Sequence, residues 1–260
     1  MKPHWIDIKA VVRGMDTAVK KKSPSPPCDR GRRGYLLCTL GALALSFGGE
    51  RRENGAQPSA GSLGNGLQFV SRVARMEEAL LLARMQVRAW KKHYVGIIDE
   101  AYLQSVTVLK KLKRWYENLE DEKKTTFIVY HGESRRPIGY TTVGEPGKGT
   151  LRHIVPKVTQ AHDRITVVEI YTFYLDTWTP KRRGFGSELM RVALQHATQQ
   201  SRGNDEHLLL CLWALGENAG AIAFYERHGF EVVVNDRRAV FGGKRYPYTG
   251  MCKKVAIGLS

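Results

Sequence analysis

The chain has 260 residues with ordinary apolar content, enough for one large or two small domains with a buried core. Its 41 Lys and Arg residues against 25 Asp and Glu give a formal charge of +16, which suits an anionic partner and does not choose among a phosphate-rich cofactor, nucleic acid and a membrane surface. Four widely separated cysteines, Cys28, Cys38, Cys211 and Cys252, and singly scattered histidines give no zinc-type spacing, so a reduced compartment and no metal are expected.

Residues 1–66 read as an extension: Lys20-Lys-Lys22, then Ser23-Pro-Ser-Pro-Pro27, then a Gly/Ser/Asn-rich stretch from Gly48 to Gly66, with eleven basic and five acidic residues. Such a composition buries little and is expected to be disordered, with a targeting or nucleic-acid-binding arm as the functional alternative. The apolar run Tyr35 to Phe47 is shorter than the roughly 20 residues of a membrane-spanning helix, and it begins too far from Met1 for a secretory signal. Neither membrane insertion nor secretion is expected.

Residues 67–260 read as the folded domain. A short strand, Leu67 to Val73, leads into two helices, Glu77 to Tyr94 and Val106 to Leu119, whose apolar residues recur at helical spacing. Thr125 to Tyr130 and Pro137 to Gly144 form a hairpin, and Glu145 to Gly149 a turn. Thr166 to Leu175 is the most strand-like segment, followed by a helix from Gly186 to Gln200. Leu208 to Leu215 has the continuous apolar character of a strand buried on both faces, Ala219 to Arg227 is a short helix, and Phe230 to Asn235 and Tyr246 to Lys253 are closing strands. The expected fold is α/β (α+β): a mixed, mostly antiparallel central sheet with helices on both faces.

Two segments carry chemistry. In Lys181-Arg-Arg-Gly-Phe-Gly-Ser-Glu-Leu-Met190, Gly184 and Gly186 permit a tight turn, and the helix that follows directs free N–H groups and its positive dipole end at whatever sits there, with Lys181, Arg182 and Arg183 adding charge. This is a cradle for a pyrophosphate, although a glycine turn alone also serves as a plain connection. The second segment, Asn218-Ala-Gly-Ala-Ile-Ala-Phe-Tyr-Glu-Arg-His-Gly-Phe230, is more specific. Together they resemble the GNAT superfamily of N-acetyltransferases, in which a Q/R-x-x-G-x-G/A turn and an N-x-x-A-x-x-F/Y-Y-x-x-x-G-F helix surround acetyl-CoA. Asn218, Ala221, Phe224, Tyr225, Gly229 and Phe230 fall on that pattern, and the likeness extends from about Leu67 to Val255, through Val87 to Ile98, which resembles the first helical region of small bacterial-type members. The chain departs from it at Lys181, where the family has Gln or Arg, and in the insertion-like Asp176-Thr-Trp-Thr-Pro180.

The resemblance implies an acyltransferase that moves acetyl from acetyl-CoA, as co-substrate, to a primary amine by direct attack in a ternary complex. It implies that Phe173, Tyr174 and Leu175 hold the acetyl carbonyl and pantetheine, that Lys181, Arg182, Arg183, Gly184, Phe185, Gly186 and Ser187 hold the pyrophosphate, and that Asn218 and Ala221, with Tyr225, line the pantetheine arm. Tyr225 resembles the family's general acid, with a packing tyrosine as the alternative. Glu169 is similar in position to the glutamate base of the histone acetyltransferase branch, or else only orders substrate or a water. Alternation puts Glu169, Tyr171 and Phe173 on one face of their strand and Ile170, Thr172 and Tyr174 on the other. Cys211, inside an apparent core strand, is not expected to be a nucleophile.

A non-catalytic acyl-CoA-binding regulatory module is the alternative function. The acceptor is a small-molecule or peptide amine. The basic surface disfavours polycations unless the groove is locally acidic, with Glu100, Glu145 and Asp163 as candidates. Nucleic acid is disfavoured because no zinc finger, RNA-recognition or basic-zipper pattern is present. The cofactor implies a cytoplasmic enzyme, with organellar targeting by the extension left open, and related proteins are often homodimers.

Overall fold

The computed structural model describes residues 59–63, 67–132, 134–160, 164–201 and 205–257. Asp163 and, apart from residues 59–63, the predicted extension lie outside them. One eight-stranded sheet organises the described chain, in the order β1-β2-β3-β4-β5-β6-β8-β7. Its strands are β1 (Ser59–Leu63), β2 (Leu67–Val73), β3 (Lys124–His131), β4 (Pro137–Gly144), β5 (Ile165–Leu175), β6 (His207–Leu215), β7 (Glu231–Phe241) and β8 (Lys244–Ala256). Only β5 and β6 run parallel; every other neighbouring pair is antiparallel. The mixed sheet with helices on both faces is therefore as the sequence predicts.

The helices are α1 (Ala79–His93), α2 (Glu100–Ser105), α3 (Val108–Glu120), α4 (Lys148–His153), α5 (Val155–Val158), α6 (Phe185–Gln199) and α7 (Ala219–Arg227). The two faces can be read from β6, whose residues alternate between them. Leu208, Leu210 and Leu212 pack with Met190 and Ala193 of α6 and Tyr225 of α7, while Leu209 and Cys211 pack with Ile154, between α4 and α5. On that second face, α1 and α3 cover β3 and β4 through Leu82, Met85, Trp115, Ile128 and Tyr140. Trp115 lies edge-on to Tyr140 at 5.2 Å, and its indole N–H donates to Gln86 Oε1 at 3.1 Å. Among the described residues no helix is long and apolar enough to cross a membrane.

One sequence expectation is overturned. The β4–β5 register jumps from Thr142↔Thr172 to Val143↔Ile170, so Tyr171 is an extra residue in β5. A bulge of this kind breaks the two-residue period. Ile170 and Phe173 consequently pack on the same α6-facing cluster, whereas Tyr174 packs against α1 and Tyr140; Phe173 does not share a face with Glu169 and Tyr171.

The closing strands are longer than predicted and form a hairpin that arches back over the α1–α2 connection. Phe241 meets Trp90 at 5.5 Å and Tyr102 at 5.9 Å, the Asp99 N–H donates to the Tyr246 hydroxyl at 2.9 Å, and Lys244 pairs with the Asp99 carboxylate. The predicted turn at residues 145–149 leads directly into α4, with Gly147 at its N-cap.

Candidate active site

Strands β5 and β6 pair from Ile165↔His207 only as far as Ile170↔Leu212, although β5 runs on to Leu175 and β6 to Leu215. Beyond the bulge the two strands part. The Asp176 N–H donates to Ile138 O at 2.7 Å, and the Thr172 carbonyl accepts the Thr141 hydroxyl at 3.0 Å. Alternation of peptide groups along a strand then directs those of Thr172 and Tyr174 to β4, and those of Phe173 and Leu175 into the opening beside β6. Of the three residues singled out in the sequence, Phe173 and Leu175 thus offer backbone groups to a ligand. Tyr174 instead contributes its hydroxyl, which accepts the Trp90 indole N–H at 3.0 Å and lies 3.3 Å from the Tyr94 hydroxyl.

Asp176 closes β5. It is buried, and Arg88 of α1 holds it through two contacts of 2.5 and 3.2 Å. The chain then turns into α6 through Lys181, Arg182 and Arg183, all exposed. Arg182 at φ 60° and Gly184 at φ 81° occupy the left-handed region, an arrangement costly for the arginine and natural for the glycine. Gly184 is the N-cap of α6, no side chain caps that end, and the first N–H groups of a 15-residue helix remain available there. Exposed cations, a left-handed turn and uncapped N–H groups fit a pyrophosphate.

Helix α7 meets α6 at this point. A Cβ on Gly186 would lie 2.8 Å from the Phe224 ring, so the small residue permits the contact. His228 Nδ1–H donates to Phe224 O at 2.8 Å, which leaves Nε2 to accept from the Ser187 hydroxyl at 3.1 Å. Asn218 caps α7, its Oδ1 accepting the Ala221 N–H at 3.2 Å, and Ala221 packs on the α6-side core.

Tyr225 is buried on α7, its ring edge-on to Phe173 at 5.9 Å and to Phe230 at 5.8 Å. Burial pushes its phenol far above the ordinary range, with Tyr174 and Tyr248 adding to the effect, so the hydroxyl keeps its proton at neutral pH. Tyr248 of β8 is raised in the same way, by burial first and then by Tyr174 and Glu169. Its ring stacks on Trp213 of β6 at 5.2 Å and 16°. Tyr248 is thus within electrostatic reach of both Tyr225 and Glu169.

Glu169 is buried on the α4 side. Its Oε2 accepts the Gly147 N–H at 2.7 Å, and the Thr150 hydroxyl also bonds to it while accepting the Trp213 indole N–H at 2.9 Å. Desolvation raises its pKa and outweighs the opposing pull of Gly147, Thr150 and Lys124. A carboxylate anchored by two donors and raised by burial is a stronger proton acceptor than a solvated one. Cys211 is fully buried, with a thiol pushed far up by burial, and it has no nucleophilic character. The sequence reading missed Tyr248, Thr150, Gly147 and Trp213. Their only signal was local, an aromatic pair in the last strand and a glycine turn after β4, and neither points to a distant carboxylate.

Residues 89–230, more than half of the chain, match the model of the acetyltransferase (GNAT) family. No curated protein sequence matches the chain. Among solved structures, the paia N-acetyltransferase of Thermoplasma acidophilum in complex with coenzyme A is 17% identical with a TM-score of 0.50, over 72% of this chain and 99% of that one. An uncharacterized protein from Bacillus halodurans is 13% identical with a TM-score of 0.52, over 74% and 89%. A ribosomal L7/L12 alpha-N-protein acetyltransferase in complex with coenzyme A is 14% identical with a TM-score of 0.50, over 74% and 96%. At these identities the likeness is one of fold.

Proposed function

Since the chain belongs to the acetyltransferase (GNAT) family and is an acetyl-CoA-dependent acyltransferase, we propose that it acetylates a primary amine by direct attack in a ternary complex, with Tyr225 as general acid and Glu169 as general base. The observation that carries this reading is the parting of β5 and β6. It leaves the peptide groups of Phe173 and Leu175 beside the helix-start turn and the protonated Tyr225 phenol on the α6 face, with the raised Glu169 carboxylate on the α4 face.

In this scheme the α6 N–H groups with Lys181, Arg182 and Arg183 hold the pyrophosphate. The peptide groups of Phe173 and Leu175, with Asn218, hold the pantetheine arm and polarise the thioester carbonyl. Acetyl-CoA supplies the activated acyl group. Glu169 receives the proton that the acceptor ammonium must lose before its nitrogen can attack. As the C–N bond forms and the C–S bond breaks, Tyr225 gives its proton to the sulfur and recovers one from the nitrogen of the new amide. The chemistry calls for no cysteine nucleophile.

The test is calorimetric binding of acetyl-CoA to the full chain, followed by release of free CoA across a panel of amines. Binding with amine-dependent release supports the enzyme. Binding without release across the panel supports the non-catalytic module, and absence of binding removes the basis of the scheme.

A further inference from the structure

Resting on that reading, we infer that the acceptor is a primary amine carried by an acidic polypeptide, its carboxylates taken up by a cationic lip at the mouth of the acceptor cleft. The lip has two sides. On one, α4 starts at the Glu169 carboxylate through the Gly147 N–H, so Lys148 stands next to the anchoring point and Arg152 about one helical turn, roughly 5.4 Å, further along. Lys157 of α5 follows, its ammonium 3.5 Å from Val233 O of β7. On the other side Arg237 stands opposite Tyr248 in the β7–β8 register. The Lys157 contact on Val233 O ties α5 to β7 and so joins the two sides of the lip. Further along the same hairpin, Arg238 and Arg245 line an open hollow of about 360 Å³ with Arg237, Asp236 and Val240.

All six cations are exposed, and among the described residues none is in an ion pair. Asp236 is the one carboxylate among the residues lining the hollow. The acidic residues that could have favoured a polycation do not offset the lip: Glu145 pairs with Lys123 at 3.2 Å, and Glu100 lies at the start of α2, in a hollow that Lys91 also lines. Read from outside inward, the charges run from a cationic rim to one buried carboxylate. The complement is a chain with an ammonium at its tip and carboxylates behind it. At about 3.3 Å per extended residue, the one-turn reach from Lys148 to Arg152 spans about two residues, so the carboxylates belong in the first few positions after the amine. Nucleic acid would also satisfy a cationic rim, but it carries no aliphatic amine to place at Glu169. A polypeptide supplies both charges.

The experiment uses the full chain, acetyl-CoA and three peptides of equal length with a free α-amine, differing only in Glu, Gln or Arg at positions two to four. Release of CoA gives kcat/KM. The acidic peptide is expected to exceed the arginine peptide by at least about tenfold, with the neutral peptide between them, and the gap should narrow between about 50 and 300 mM KCl. The double variant Arg152→Glu/Arg237→Glu should reverse the order while calorimetric acetyl-CoA affinity stays unchanged, since both positions are exposed and lie away from the α6 turn. Equal kcat/KM for the three peptides, or a preference that survives charge reversal, overturns the inference alone. Inhibition by an RNA oligonucleotide without any acidic-peptide preference overturns it in favour of a nucleic-acid surface. Failure of every peptide to release CoA while the amine panel still does so overturns the inference and leaves the enzymatic reading standing; absence of release from peptides and panel alike overturns both.

Discussion

Replacing Gly184 by alanine tests whether the turn before α6 is a built anion cradle. Gly184 sits at φ 81°, where an L-residue pays about 1–2 kcal/mol. Part of this, about 0.4–1 kcal/mol, is returned because alanine restricts the unfolded chain. The net loss is about 1 kcal/mol, or roughly 2–4 °C in Tm for a domain of this size. The ligand effect should be larger. If the turn relaxes toward negative φ, the first N–H groups of α6 swing away from the pyrophosphate, and each charge-assisted hydrogen bond is worth about 1.5–3 kcal/mol. Acetyl-CoA affinity measured by calorimetry should therefore fall about 10- to 100-fold, with kcat at saturation much less affected. Gly184→Asn, which tolerates the left-handed region better, should recover much of both losses. If Gly184→Ala binds acetyl-CoA within about twofold of the parent while losing the expected stability, the turn is only a connection and its role in cofactor binding is wrong.

Three further outcomes follow from the geometry. Tyr225→Phe removes the protonated phenol but keeps the ring packing on Phe173 and Phe230, so steady-state kinetics should give a kcat about 100-fold lower with little change in KM for acetyl-CoA; a change within threefold rules out the acid role. Burial holds the Glu169 carboxyl above the ordinary glutamate value of about 4.5, so kcat/KM should fall as pH drops through the raised value. The folded state then holds the proton to higher pH than the unfolded chain, stability declines as pH rises from 4.5 through the folded value, and Glu169→Gln should melt higher than the parent at neutral pH and not at pH 4; coincident Tm-against-pH curves would contradict the assignment. Arg88→Ala strands the buried Asp176 carboxylate with Thr177 alone among its side-chain-bonded partners, and urea unfolding should register a loss of about 2–3 kcal/mol, less than for a fully buried pair because the arginine is 45% exposed; a loss below about 0.5 kcal/mol would mean that water replaces it.

What could be read in the sequence is what repeats locally or sits within one turn of chain. The helices at residues 79–93 and 219–227, the buried strand at 207–215 and the glycine turn before residue 185 each carry their own signal in periodicity, composition or φ requirement. The acid and base candidates were legible because each lies inside such a segment. Tyr248 was not, since its stack on Trp213 comes from pairing β8 with β6, a contact between segments some forty residues apart. Helix α4 was hidden because Glu145-Pro-Gly-Lys-Gly149 has turn chemistry, and what fixes it is the Gly147 N–H on a carboxylate two elements away. The outer end of β7 escaped because Asp236-Arg-Arg238 looks like loop; at a sheet edge such charges discourage further strand pairing and are compatible with a strand.

The extra residue at Tyr171 makes the layout of the chamber a matter of counting. With β5 in unbroken phase, the Phe173 ring would turn into the cluster of phenols and the Tyr174 hydroxyl toward α6, with every amino acid unchanged. Deleting one residue between Ile170 and Phe173 would instead remove the bulge and leave both rings on the faces they hold now, so strand length and phase together set what each face carries. Side chains on either side of the slip therefore answer to different neighbours, those toward α6 to Met190 and Tyr225 and those toward α1 to Trp90 and Tyr140.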